Sequence, residues 1–232
     1  MTAAMTAAMI STMTPTRQFD LIVFDWDGTL YDSTALITRC IQAACADLGV
    51  AVPSDRDASY VIGMGLSEAL QHAAPALPRE RYGELGARYR HHYVARQHEL
   101  AFFDGSLTML QALRGRGHLL GVATGKSRAG LDEALNMSEL HGLFDATRTA
   151  DETASKPAPR MLLELMRELG VSPARTLMIG DTTHDLQLAA NAGTASIGVS
   201  YGAHEHTAFK AFAPRHIAHS VADLGDWLGR HG

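Results

Sequence analysis

Apolar positions along the chain follow two periods. Short, almost continuous apolar or β-branched runs at Phe19–Asp25, His118–Thr124, Ala146–Ala150, Thr176–Gly180 and Ala195–Val199 have the pattern of strands covered on both faces, as in a parallel sheet. Helical spacing separates them. The clearest stripe is Ala158, Met161, Leu162, Leu165, Met166 and Leu169, with Pro159 near its start and Gly170 at its stop. Strand and helix alternating in this way predict a doubly wound, Rossmann-like α/β sheet.

One stretch breaks the alternation. From Ser33 to Leu100 the spacing is helical throughout, in pieces at Thr34–Leu48, Ser67–Ala73 and Pro78–His98 joined by turns that carry Gly or Pro. This predicts an all-helical insertion over residues 33–100, in an α/β core made of residues 19–32 and 101–232. The insertion leaves at the carboxyl end of the first strand, where parallel sheets bind ligands. Residues 1–18, a Met-, Thr- and Ala-rich run whose first charge is Arg17, read as a disordered leader outside the fold. Thr and Ser interrupt its apolar pairs, unlike the apolar stretch of a secretory signal.

Composition narrows the function classes. Of 232 residues, 46% are hydrophobic and 19% charged, with a formal charge of −5, as in a folded globular chain. No stretch gathers the basic residues of a phosphate-tracking face, so nucleic acid is excluded as a partner. No apolar run approaches the ~18 residues of a membrane span. Cys40 and Cys45 fall on one helical stripe with Ile37, Ile41, Ala44 and Leu48, which makes them small core residues rather than a disulfide or a metal pair. Two such cysteines suit a reducing, cytoplasmic setting. A monomer and a homodimer are both compatible with this composition.

Four polar clusters each follow a different strand: Asp25-Trp26-Asp27-Gly28-Thr29-Leu30, Thr124-Gly125-Lys126, Ser155-Lys156-Pro157 and Gly180-Asp181-Thr182-Thr183-His184-Asp185. In a parallel sheet all four reach one edge. Singly, Asp181 or Thr124 reads as a helix cap and Lys156 as a surface lysine. Asp25-x-Asp27-Gly28 does not continue as a calcium loop, because the glycine comes too early and Leu36 stands where the bidentate glutamate belongs. Together the clusters imply phosphoryl transfer. Asp25, Asp181, Asp185 and a phosphate dianion would share one pocket with a single Lys156. A carboxylate and a dianion at ~3.5 Å repel by roughly 9 kcal/mol at an effective dielectric of 20. A divalent cation must offset that repulsion, and an all-oxygen ligand set selects Mg²⁺.

These motifs, in this order, resemble the haloacid dehalogenase superfamily, in its phosphatase branch with a helical cap inserted after the first motif. The resemblance runs from Phe19 to the C-terminus, and the second aspartate, Asp27, sets the chain apart from the true dehalogenases. It implies that Asp25 attacks phosphorus to give an aspartyl-phosphate. It further implies that Asp27 acts as general acid and then general base, its backbone carbonyl also ligating Mg²⁺. Thr124, the Gly125 amide and Lys156 would hold the phosphate. Asp25 and Asp181 would bind the metal directly, with Asp185 orienting a water or Lys156 from behind.

The insertion is expected to set the substrate, a small phosphorylated metabolite. Residues Val61 to Leu70 resemble the specificity segment of phosphoglycolate phosphatases, which makes phosphoglycolate the leading candidate. Those enzymes typically have Thr-Asn-Lys where this chain has Thr124-Gly125-Lys126. A β-phosphoglucomutase-like mutase is the alternative, although such mutases carry an arginine where Ser67-Glu68-Ala69 stands here. A non-catalytic binding protein on the same fold is the second alternative; it would be expected to lose one of Asp25, Asp27, Lys156 or Asp181. Trp26 is expected at the junction of insertion and core. His91, His92, His204 and His206 are read as solvated surface residues without the ligand set of a metal site.

Overall fold

The computed structural model describes residues 17–232, so the expected leader lies, up to residue 16, outside the described residues. Strands β1 (Leu21–Phe24), β2 (Leu119–Thr124), β3 (Ala146–Thr149), β4 (Thr176–Gly180), β5 (Ala195–Val199) and β6 (His216–Ala218) form one sheet. Its order is β3-β2-β1-β4-β5-β6, and every neighbouring pair is parallel. The chain builds outward from β1 to β3, then returns to the other side of β1 with β4. Strand order therefore reverses between β1 and β4, and a ligand crevice opens at their carboxyl ends. Phe24 lies opposite both Val122 and Ile179, so the residues that follow the three central strands emerge together at that edge.

Between β1 and β2 the chain forms helices α1 (Thr34–Asp47), α2 (Asp55–Tyr60), α3 (Leu66–Ala73) and α4 (Tyr82–Arg96), with no strand among them. They bury an apolar cluster of their own, built from Ile37, Ile41, Cys45, Val61, Ile62, Leu70 and Leu85. Cys40 and Cys45 are free, buried thiols on the inner stripe of α1, as their spacing predicts. The chain leaves and re-enters the core through two paired segments: Asp32 N–H donates to Ala101 O at 2.9 Å, and Phe103 N–H to Leu30 O at 3.0 Å. Trp26 is buried against these connections, its ring 6.0 Å from Tyr31 and 5.6 Å from Phe102.

The sheet is covered on both faces because its strands are apolar on both. Ile22, Phe24, Leu120, Val122 and Ile179 pack beneath α5 (Ser106–Gly115), α6 (Arg128–Leu135) and α9 (Val221–His231), with Leu110, Leu131 and Leu224 among their neighbours. Leu21, Val23 and Met178 face α7 (Arg160–Leu169) and α8 (Thr183–Ala192) through Met161, Leu165 and Leu188. Each such side chain contributes about 1.5–3 kcal/mol by leaving water. Helix α7 begins at Arg160 rather than Ala158, because a residue ahead of proline is pushed out of helical backbone. No helix of the described residues is long and apolar enough to cross a membrane.

Candidate active site

Asp25 follows β1 directly, tied in by its N–H to Ile179 O at 2.9 Å. Its Oδ1 accepts from Trp26 N–H at 2.6 Å and lies 2.9 Å from Lys156 Nζ. Its Oδ2 is buried and has no hydrogen-bond partner among the described residues. Lys156, from the segment after β3, also donates to Asp185 Oδ1 at 2.6 Å. Asp181 follows β4; its Oδ1 accepts from Thr29 Oγ at 3.0 Å and its Oδ2 from Ala203 N–H at 2.7 Å. Gly28 makes room for it. That residue has a φ of +79°, and a Cβ there would come within 2.7 Å of Asp181 Cγ.

Asp185 is placed by local sequence. Thr182 caps α8, its hydroxyl accepting from Asp185 N–H, while Asp185 Oδ2 accepts from Thr182 N–H at 3.0 Å and Thr182 Oγ at 2.7 Å. This reciprocal capping box occupies one carboxylate oxygen of Asp185 and Lys156 occupies the other. Both are therefore committed to protein donors.

Asp25, Asp181 and Asp185 bring carboxylate oxygens within 4.8 Å of one another, all three residues buried. Three carboxylates against one ammonium leave the pocket negative. Burial, with the charges of Asp185 and Asp181 beside it, raises the Asp25 carboxyl well above the ordinary range despite Lys156. Burial and Asp185 push Asp181 up to about 7. For Lys156, burial favours the neutral amine, but Asp185 and Asp25 outweigh it and raise its pKa above the ordinary value. Three buried carboxylates in excess of the nearby positive charge fit a divalent cation, and their all-oxygen donors suit a hard one.

Asp27 turns the other way. Its Oδ1 accepts from Ser33 Oγ at 2.7 Å and lies 3.1 Å from Lys126 Nζ. Ser33 precedes α1 but makes no side-chain cap there; its hydroxyl goes to Asp27 instead. Lys126 Nζ also donates to Tyr93 Oη of α4 at 3.1 Å, which links the core to the helical insertion across Asp27.

The buried Thr124 accepts from Lys126 N–H at 3.2 Å, which shapes the turn after β2. Gly125 explains the departure from Thr-Asn-Lys: a Cβ there would strike Met64 O and come within 2.8 Å of the Gly63 backbone. Only glycine lets the loop of the insertion sit this close. Three further contacts hold that loop down. Gly65 N–H donates to Ser155 Oγ at 2.9 Å, and the Nε2 atoms of His184 and His204 each lie 2.9 Å from Tyr60 O. Because Thr183 N–H donates to His204 Nδ1 at 3.1 Å, His204 is the neutral Nε2–H tautomer. His204 is thus a junction residue and not a solvated one, which corrects the surface assignment. Sequence alone does not assign Ser33, Thr29 and Ser155, because only three-dimensional pairing reveals their partners, whereas the Thr182-x-x-Asp185 spacing of a capping box is a local signal.

A cavity of about 550 Å³ opens on Asp25, Asp27, Thr124 and Gly125 and continues between core and insertion.

Residues 22–199 match the family model of the haloacid dehalogenase-like hydrolases, and the chain belongs to that family. It is 36% identical over 210 residues to the probable phosphatase IndB of Dickeya dadantii, covering 88% of this chain and 91% of that one. A 5'-nucleotidase of Pseudomonas aeruginosa is 34% identical over 219 residues, covering 90% and 96%. The crystal structure of a predicted phosphoglycolate phosphatase from Haemophilus somnus superposes with a TM-score of 0.79 at 25% identity, covering 90% of this chain and 97% of that one. The chain is therefore a hydrolase with phosphatases among its relatives.

Proposed function

We propose that this protein is a Mg²⁺-dependent phosphomonoesterase that works through a covalent aspartyl-phosphate on Asp25, with residues 33–100 serving as a cap over the site. The observation that carries the reading is the asymmetry of Asp25, whose Oδ1 is fixed by Trp26 N–H and Lys156 while Oδ2 has no partner among the described residues. Oδ2 attacks phosphorus as the bond to the alcohol oxygen breaks, and Asp27 as a carboxylic acid gives that oxygen its proton. Asp27, now a carboxylate, then takes a proton from water as the water oxygen attacks phosphorus, releasing inorganic phosphate and restoring Asp25. Ser33 and Lys126 orient Asp27 in both steps.

Thr124 and the Gly125 N–H face the phosphoryl oxygens, and Lys156 adds positive charge beside Asp25. Asp25, Asp181 and the Asp27 backbone carbonyl are the groups we assign to Mg²⁺, which when bound supplies the positive charge that lets a carboxylate approach a phosphate. Asp185 sits behind them, holding Lys156. The names of the relatives span different phosphate esters, so family membership supports the chemistry and leaves the alcohol to be read from the cavity.

The test is hydrolysis of p-nitrophenyl phosphate with Mg²⁺ by the wild type and by Asp25→Asn. The wild type is expected to release inorganic phosphate rather than a phosphate isomer, which separates it from a mutase. The variant is expected to be folded and inactive; retained turnover in it overturns the reading.

A further inference from the structure

The cavity is too large, and too apolar, for a glycolate leaving group. We propose, resting on the phosphatase reading above, that the substrate is the phosphomonoester of a flat, ring-bearing, largely apolar alcohol. The cap is already docked: Gly63 and Met64 lie against Gly125, Gly65 is bonded to Ser155, and Tyr60 O is held by His184 and His204. An open cap therefore does not account for the 550 Å³ that remains. That volume lies within the roughly 300–1,000 Å³ of sites that enclose whole drug-sized ligands. A two-carbon acid would leave most of it to water.

The wall begins at the leaving group. Lys126 Nζ lies 3.1 Å from Asp27 Oδ1 and 3.1 Å from Tyr93 Oη, so the Tyr93 ring stands next to the acid that protonates the departing oxygen. Tyr89 continues that wall, its ring stacked 6.0 Å from Tyr93 at 26°. Ile37, Ile41 and Leu66 supply aliphatic surface to the same cavity. An alcohol that fills this space buries ring against ring and methyl against ring. Arg90, Gln97, His98 and Glu133 also line the cavity, but as exposed or half-exposed residues; its buried wall is Ile37, Ile41, Val61 and Ile62, against which the hydroxyls of a sugar find no partner.

The test is a substrate panel on the full chain with Mg²⁺: phosphoglycolate and glucose 6-phosphate against 1-naphthyl phosphate and benzyl phosphate, whose alcohols carry a ring and no further hydroxyl. The ring-bearing esters are expected to exceed phosphoglycolate by about tenfold or more in kcat/KM, chiefly through KM. Tyr89→Ala is expected to lower the ratio of 1-naphthyl phosphate to phosphoglycolate kcat/KM by roughly tenfold. Phosphoglycolate or glucose 6-phosphate turned over as well as the ring-bearing esters overturns the proposal and leaves the phosphatase reading standing. Failure to cleave either ring-bearing ester overturns the proposal, and the phosphatase reading falls with it only if p-nitrophenyl phosphate is not hydrolysed either. If Tyr89→Ala does not fold, the wild-type ranking alone decides.

Discussion

Lys156 Nζ lies 2.6 Å from Asp185 Oδ1 and is shared with Asp25, so the lysine next to the proposed nucleophile is held from behind by the first turn of α8. Lys156 and Thr182 hold Asp185 with three donors, one of them an ammonium, against one neutral donor on each oxygen of Asp181, so Asp185 is expected to act through Lys156 and Asp181 on the metal. Asp185→Asn is expected to cost about 10–100-fold in turnover while Mg²⁺ still binds. Isothermal titration with Mg²⁺ checks this. Binding lost as completely as in Asp181→Asn would make Asp185 a direct ligand.

Metal response should depend on pH in a stated direction. Asp181, ordinarily near 3.8, is raised to about 7 in the fold. Over that window the metal-free fold holds a proton that the unfolded chain has lost, so this group's contribution to stability falls as pH rises from about 4 to about 7. Mg²⁺ offsets the charge that appears there. The rise in Tm on adding Mg²⁺ is therefore expected to be larger near pH 8 than near pH 5, read by thermal melting with and without chelator. An equal rise at both values would contradict the assignment of Asp181.

His118 gives the opposite slope. It is buried with Nδ1 3.0 Å from Phe19 O, and burial, with Arg17 nearby, lowers its pKa from 6.5 to about 4. Its stabilising contribution is present above about 6.5 and is lost as pH falls to about 4. His118→Asn, which can keep a donor to Phe19, is expected to lower Tm at neutral pH and to narrow the drop between pH 7 and about pH 4.5. Melting curves of both proteins at the two pH values decide it.

Gly125 predicts a sharp steric outcome. Gly125→Asn restores the side chain common in the family's phosphoglycolate phosphatases but drives a Cβ into the backbone of Gly63 and Met64. The cap loop must then lift, and kcat/KM is expected to fall by roughly 100-fold. Tm is expected to fall as well, because the loop that must move carries Val61 and Ile62 of the insertion's apolar cluster. Steady-state kinetics alongside a melt separate the two effects.

The central strands and the chemistry at their ends are legible in the sequence for one reason. A strand buried on both faces is written as a continuous apolar run, so Thr176–Gly180 and Ala195–Val199 carry their own boundaries and the polar residues after them stand out. The six-residue α2, burying only Ala58, and the three-residue edge strand β6 are too short to leave a periodic signal. Around the site, the Thr182–Asp185 capping box is readable because it is local. The clasp of His184 and His204 on Tyr60 O is not, because it joins positions 124 and 144 residues apart. Ser33 misleads in another way: it stands where a helix cap belongs and serves Asp27 instead.

The central claim concerns a bond on one side chain, and that bond can be caught. Asp27→Asn should form the aspartyl-phosphate from an activated ester such as p-nitrophenyl phosphate but hydrolyse it slowly, since the general base is gone. Acid quench and peptide mass analysis of that variant, mixed with substrate and Mg²⁺, should place one phosphoryl group on Asp25. A phosphoryl group on any other residue, or steady phosphate release with none on the protein, would contradict the account.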